Sequence, residues 1–163
     1  MHAETVRRAG APEGPSDLLE AIQGAQQAAH LHLVPEAHRQ GVSPPQFWSL
    51  YHLLHGGEVH PSRLARRLGI TASACTATVD QLVEAGFVVR RPSEEDRRQV
   101  VLAVTPKGRR LVDAVWRPFD RELRTVTADL SAEDVRVAAR VLRTVAERLR
   151  PPRPEGASPG GAP

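Results

Sequence analysis

The sequence predicts a mainly α-helical chain with one small two- or three-stranded β-element. Three observations carry that prediction. Apolar residues recur at helical spacing through most of the chain, one stretch at residues 87–104 switches to β-branched runs, and Gly or Pro falls at the joints. With 163 residues, 40% hydrophobic but only 4% aromatic, the chain has the length of one domain and a core of Leu, Val and Ala.

Residues 1–15 carry Gly, Pro and Glu without periodicity, and residues 151–163 are a Pro/Gly/Ser tail. Both read as disordered, which leaves residues 16–150 as the folded part. Ser16 is expected to cap a first helix with Leu18, Ile22, Ala25, Ala29 and Leu33 along one stripe. That helix either ends near Pro35 or continues, kinked, toward Gln40 and Gly41. Ser43-Pro44-Pro45-Gln46 has the form of a capping box with proline at the first helical position, opening a second helix through Leu54 that Gly56 and Gly57 stop. A short third helix starts at Pro61 and reaches about Leu68. Gly69-Ile70 turns the chain, Thr71 caps a fourth helix to about Ala85, and Gly86 ends it. This fourth helix turns Cys75, Val79, Leu82 and Val83 inward. Residues 87–90 and 99–104 read as strands around a polar segment, 91–98. Thr105-Pro106 caps a helix with Leu111, Val115, Phe119, Leu123 and Val126 on one stripe. Ser131 caps the last, with Val135, Ala138, Val141, Leu142, Val145 and Leu149. The stripes of these two helices exceed what the other elements can cover, which, with the first helix, points to a dimer interface.

The formal net charge is +3, and its distribution is uneven. From Pro61 to Arg110, ten basic residues face five acidic ones, a net +5, while the remainder sums to −2. Nearly all the positive charge is arginine, whose planar fork suits phosphate and guanine better than lysine does. A basic middle between neutral-to-acidic arms fits a polyanion-binding module, with a solvated charged face as the competing reading. No apolar run approaches the ~20 residues that span a bilayer, and none follows the arginines near the N-terminus. Neither a membrane protein nor a secretory signal is expected, and the expected compartment is the cytoplasm. Cys75 stands alone, which excludes an intramolecular disulfide and a Cys-rich zinc module. There is no Gly-rich phosphate loop, nucleophile elbow or carboxylate pair in an apolar setting, so neither an enzyme nor a cofactor is expected.

Helix, glycine-containing turn, helix and charged hairpin is the order of a winged helix-turn-helix, here joined to a helical dimerisation region. On the fourth helix, Ser73, Ala74, Thr76 and Ala77 form a face of small residues that permits close approach to groove edges. Arg97 and Arg98 at the hairpin tip put guanidinium groups where they can enter a narrow minor groove. Asp96 beside them is expected to orient one arginine through a charge-assisted pair. Thr71, Arg90 and Arg91 complete the candidate DNA-binding set. Arg63, Arg66 and Arg67 on the preceding helix read as phosphate contacts or, alternatively, as a solvated face.

Over this stretch the chain resembles the MarR family of bacterial transcription regulators. Leu82, Gly86, Phe87 and Val88 are followed after seven residues by Asp96-Arg97-Arg98, and after six more by Thr105-Pro106-Lys107-Gly108. The helix order agrees over residues 16–150. The resemblance implies an obligate homodimer joined by its first and last two helices, with two winged lobes on a pseudo-palindromic double-stranded operator. It also implies a small-molecule effector or an oxidant acting where the dimer helices meet the wing lobe. It carries over Ser73, Ala74 and Thr76 as recognition-helix contacts, Arg98 as the wing arginine in the minor groove, Asp96 as its orienting partner, and Arg97 as a second phosphate or groove contact. Ala77 stands where many members have a base-reading arginine, and Gln81 where a basic residue is common, which shifts readout toward the wing, Thr76 and DNA shape.

Trp48, Tyr51, His52 and His55 are the expected pocket lining, because aromatic and imidazole walls suit planar phenolic ligands; for Trp48, Tyr51 and Trp116 a plain core role is the alternative. Cys75 reads as a buried small hydrophobe rather than a redox sensor. His30, His32, His38, His52, His55 and His60 have no ligand-spaced acid or cysteine beside them, so no metal site is expected. The reading is thus a dimeric repressor of this family, released from DNA by a small ligand. A winged helix that binds protein instead of DNA, and a metal- or redox-sensing regulator, are the alternatives.

Overall fold

The computed structural model describes residues 14–94 and 96–149. The expected disordered ends fall almost wholly outside that range, as does Glu95. In order, the elements are α1 (Pro15–Arg39), α2 (Pro44–Gly56), α3 (Pro61–Leu68), α4 (Ala72–Glu84), β1 (Val88–Pro92), β2 (Val100–Val104), α5 (Pro106–Val126) and α6 (Ala132–Arg148). Two compact units divide between Thr125 and Val126.

The first unit is built around α2. Phe47, Leu50 and Leu53 are at most 1% exposed. Around them pack Leu33 and Ala37 from α1, Leu64 from α3, Cys75, Val79 and Leu82 from α4, and Leu111, Val112 and Val115 from α5. Val88 and Leu102 close the core from the sheet. β1 and β2 pair antiparallel, Val88 opposite Val104 and Pro92 opposite Val100. Of the two- or three-stranded alternatives, the structure has two strands and a one-residue bridge from Val59 to Leu102.

Two boundaries differ from the sequence expectation, and the structure decides between the two ends left open for the first helix. Ser16 is not the first cap: Pro15 already opens α1 and Gly14 precedes it. Proline at the first helical position has no N–H, so one of the donors left unpaired at a helix start is absent there. Pro35 does not end that helix, which runs to Arg39 because Leu33, Glu36 and Ala37 on either side of the proline are buried. Glu36 tolerates its site because Arg39 Nε and Gln40 Nε2 each donate to its carboxylate at 3.0 Å. These donors, Gln40 foremost, hold its carboxyl below the usual carboxylate range. The hairpin is also shifted: Arg91 and Pro92 lie within β1, while Phe87 and Gln99 lie outside the strands.

Other local signals hold. The Ser43 N–H donates to Gln46 Oε1 at 2.7 Å, closing the capping box. Thr71 Oγ1 accepts the Ala74 N–H at 3.2 Å. α4 ends with Gly86 N–H donating to the Val83 carbonyl and Phe87 N–H to that of Leu82, both at 2.9 Å. That is a Schellman motif, which needs Gly86 at φ 74°. Thr105 begins α5 by accepting the Gly108 N–H at 3.1 Å.

Gly108 is where the first turn of α5 packs against the Phe87 backbone just after α4. A Cβ there would collide with the Phe87 carbonyl oxygen and come within 2.9 Å of Val104 Cγ1. The burial stripe of α5 ends near Phe119, and Leu123 and Val126 are 44% and 63% exposed. α6, taken by itself, has its Ser131 cap and no buried residue.

Gly108→Ala therefore meets backbone rather than a movable side chain. The helix-propensity gain is about 1 kcal/mol, but forcing the α5 backbone away should leave the variant about 1–3 kcal/mol less stable. Urea unfolding checks this, and a midpoint at or above wild type would contradict it.

Candidate nucleic-acid interface

The 3.6-residue period of α4 separates two chemistries. Cys75, Val79 and Leu82 are buried, whereas Ser73, Ala74, Thr76 and Ala77 are exposed. Thr76 Oγ1 donates to the Ala72 carbonyl at 2.9 Å. With that proton committed, Thr76 offers an outside partner acceptor lone pairs and a methyl group. Ser73 Oγ lies 3.1 Å from Thr71 Oγ1. Further along, Gln81 accepts from Gln46 Nε2 at 3.0 Å, tying α4 to α2.

The turn between the strands is organised by Asp96. Its Oδ1 accepts the Arg98 N–H and its Oδ2 the Gln99 side-chain amide, both at 3.0 Å. The Gln99 N–H donates to the Asp96 carbonyl at 2.9 Å, and the Ser93 N–H to that of Gln99 at 2.8 Å. This corrects the expectation that Asp96 pairs with a guanidinium: it holds the backbone of Arg98 in an Asx turn. Among the described residues neither Arg97 nor Arg98 has an acidic partner, and both are exposed. Two adjacent cationic forks thus stand on a braced turn.

The other arginines are placed differently. Arg90 Nη2 pairs with Asp80 of α4 at 2.7 Å, and Arg91 pairs with Glu58. These half-exposed pairs join the base of the hairpin to α4 and to the α2–α3 connection. Arg67 lies over Gly56 and donates to the His52 carbonyl at 3.4 Å, covering the end of α2. Arg63 and Arg66 are exposed on α3. Sequence reasoning missed the Arg90–Asp80 and Arg91–Glu58 pairs, since nothing in either segment alone indicates its partner.

Trp48, Tyr51, His52 and His55, the expected pocket lining, lie within two turns of α2. Tyr51 lies 4.2 Å from the His55 ring, 4.9 Å from Trp116 and 5.6 Å from Trp48, centroid to centroid. Trp116 leads on to Phe119 at 5.6 Å. Burial first, then the charges of Arg67 and His55, hold the His52 imidazole below its ordinary value. Burial likewise pushes the Tyr51 phenol up. Both effects favour neutral hydrogen-bonding groups. Cys75 is 1% exposed, with its thiol directed at the Pro61 carbonyl 3.7 Å away, and burial pushes its pKa up. That is the setting of an unreactive thiol. Among the described residues, no group of three or more His, Cys, Asp or Glu is placed to hold a metal ion, and no helix is long and apolar enough to cross a membrane.

The arrangement can present a helix face of small side chains to a groove, and two guanidinium groups that have no acidic partner among the described residues to phosphate or base edges beside it. A family model described as the MarR family matches residues 40–99, the stretch from the end of α1 through this turn. The uncharacterized HTH-type transcriptional regulator YfiV of Bacillus subtilis is 32% identical over 107 residues, 66% of this chain and 67% of that protein. The structure of a MarR family protein from Bacillus stearothermophilus superposes with a TM-score of 0.69 at 24% identity, covering 82% of this chain and 93% of that one. A cysteine-to-serine mutant of MarR from Escherichia coli, complexed with operator DNA, superposes with a TM-score of 0.59 at 24% identity, covering 79% of this chain and 93% of that one. Six helices and a two-stranded wing in this order among the described residues, the family match over residues 40–99 and the extended identity to a regulator together establish that this chain belongs to the MarR family of transcription regulators.

Proposed function

We propose that the protein is a homodimeric, double-stranded-DNA-binding repressor that reads a pseudo-palindromic operator and is released by a small ligand. The observation that carries this reading is the pairing of an exposed small-residue face on α4 with two arginines, free of acidic partners among the described residues, on a braced turn. On this reading Thr71, Ser73, Ala74, Thr76 and Ala77 approach the major groove. Arg98 enters the flanking minor groove, with Arg97 on the adjacent phosphates or groove edge and Asp96 fixing the turn under both. Arg63 and Arg66 contact the phosphate backbone, and Arg67, Arg90 and Arg91 contribute as their internal partners release them. That the MarR of E. coli was crystallised with operator DNA supports the same use of a shared fold. The protein acts by binding rather than catalysis, in the cytoplasm where its DNA lies, with residues 16–150 as the working module.

The second copy follows from uncovered apolar surface. Leu31 on α1 is 62% exposed, Val135 and Leu142 on α6 are each 45% exposed, and Leu149 just past α6 is 77% exposed. Apolar faces of this extent call for a partner. Two lobes related by a dyad bind only at a fixed half-site separation, so a ligand that changes their spacing weakens both half-sites at once. The α2 aromatic and imidazole side chains, Trp48, Tyr51, His52 and His55, are the proposed receptor for a planar, phenol-like effector.

Fluorescence anisotropy against the upstream DNA and a scrambled duplex, from about 50 to 300 mM salt, tests the reading. Sequence-preferring binding with a log–log slope steeper than about −5 is expected of a dimer neutralising several phosphates. Equal, weak binding to both duplexes, with none recovered by selection from random DNA, would favour a protein-binding winged helix.

Within that assay Arg98→Ala should weaken operator binding by about 10- to 100-fold, a groove contact of about 1–3 kcal/mol, while gel filtration still gives the dimer. Wild-type affinity would remove the wing from the mechanism. Arg66→Ala should weaken operator and scrambled duplex alike and make the slope shallower by about 1 for each phosphate no longer neutralised. A sequence-selective loss would instead mean that Arg66 reads bases. Asp96→Ala should weaken operator binding severalfold although both arginines remain, whereas Asp96→Asn, which keeps the acceptor oxygen of the turn, should retain most of it. Equal losses in the two variants would point to the carboxylate charge rather than the turn.

A further inference from the structure

Three consecutive carbonyls close α4, and one short stretch of the chain binds all of them. The Ala85 carbonyl accepts from Lys107 Nζ at 2.7 Å. The Gly86 carbonyl accepts from Thr105 Oγ1 at 2.8 Å. The Phe87 carbonyl accepts from the Thr105 N–H at 3.0 Å and from its hydroxyl at 3.2 Å. Two of these donors are neutral and belong to a single threonine. The third is a cation, and it also stands 4.7 Å over the centre of the Phe87 ring. The Lys107 charge therefore meets the negative end of the α4 dipole and the negative face of an aromatic ring together.

Lys107 is also chemically singular. Of the 22 Lys and Arg residues in the chain it is the one lysine. A compact ammonium fits between a carbonyl and a ring face where a planar fork does not. A primary amine, unlike a guanidinium, is also a nucleophile toward activated acyl groups. Lys107 is exposed, so such a donor can reach it.

We propose that Lys107 is a modification site: acylation of its amine by an acyl phosphate loosens the end of α4 and weakens nucleic-acid binding. The inference rests on the reading of α4 as the DNA-reading helix. In the reaction the Lys107 ammonium first gives a proton to water, the resulting neutral amine attacks the acyl carbon, and a C–N amide bond forms. The C–O bond to phosphate breaks, and inorganic phosphate leaves with the proton lost by nitrogen. The product keeps one N–H but has no charge, so the dipole and ring interactions are lost while the side chain still covers the site.

The probe is acetyl phosphate on the full-length protein, with mass spectrometry to place the acetyl group. Lys107→Arg receives the same treatment, because it keeps the Met1 amine and lacks the side-chain amine. Treated wild type should bind its selected duplex about fivefold more weakly than untreated, whereas treatment should leave the affinity of Lys107→Arg at its own starting value. Hydrogen exchange gives a readout independent of DNA: the Gly86 and Phe87 amides should exchange about fivefold faster after acetylation, with the Leu50 and Leu53 amides of α2 unchanged. The proposal is overturned if no acetyl group reaches Lys107, if affinity is unchanged, if both proteins lose affinity equally, or if the Gly86 and Phe87 amides do not respond. Faster exchange in α2 as well would mean general destabilisation, and also overturns it. If the untreated protein binds no duplex at all, the nucleic-acid reading fails, and the exchange data still decide whether acylation frees the end of α4.

Discussion

The close approach of the first turn of α5 to the backbone just after α4 is the constraint on which the rest of the lobe depends. Only a residue without a side chain can lie at 108 while the Phe87 carbonyl stays in place. Phe87 joins α4 to β1, so the same contact sets where the sheet begins and hence where the turn at Asp96 projects. The Thr105 hydroxyl lies within hydrogen-bond reach of two carbonyls of the joint, at 2.8 and 3.2 Å, and ties the start of α5 to the end of α4. From there α5 carries Leu111, Val112 and Val115 into the core and Trp116 onto Tyr51. Helix face, wing and aromatic cluster are therefore parts of one packed body, and a displacement of α5 reaches all three.

Charge in the lobe is divided by geometry. Arg90 and Arg91 leave the strand toward acids on neighbouring segments, where they brace the hairpin against α4 and the α2–α3 connection. Arg97 and Arg98 sit on a turn whose Asp96 is occupied by a backbone N–H and a side-chain amide. An aspartate that paired with a guanidinium would cancel one of the charges the turn presents. Bound to the backbone, it shapes the turn, and among the described residues both forks are left without an acidic partner. Partly exposed ion pairs contribute about 0–1 kcal/mol each, so those at the base of the hairpin matter more for where the strands point than for stability.

The sequence by itself determined the order of the helices, most of their caps and the sheet pairing, because these depend on neighbours within a few residues. Ser43, Thr71, Gly86 and Ser131 each act where local chemistry says they should. The resemblance carried by Asp96-Arg97-Arg98 and Thr105-Pro106-Lys107-Gly108 was legible for the same reason, since spacing within a hairpin is local. Where local signals competed with burial, burial won. Pro35 stayed inside α1 because the residues around it pack on the core, and the inner side chains of the β-run were sorted from the outer by which of them, Val88 and Leu102 above all, the core could cover. Only the tertiary structure decided which arginines are paired, that Asp96 grips the Arg98 backbone rather than a guanidinium, and that one lysine closes the end of α4. The ion pairs join residues 10 and 33 positions apart, Asp80 with Arg90 and Glu58 with Arg91. Such pairings exist only once the apolar core has brought separate elements together, and no periodicity in the chain records them.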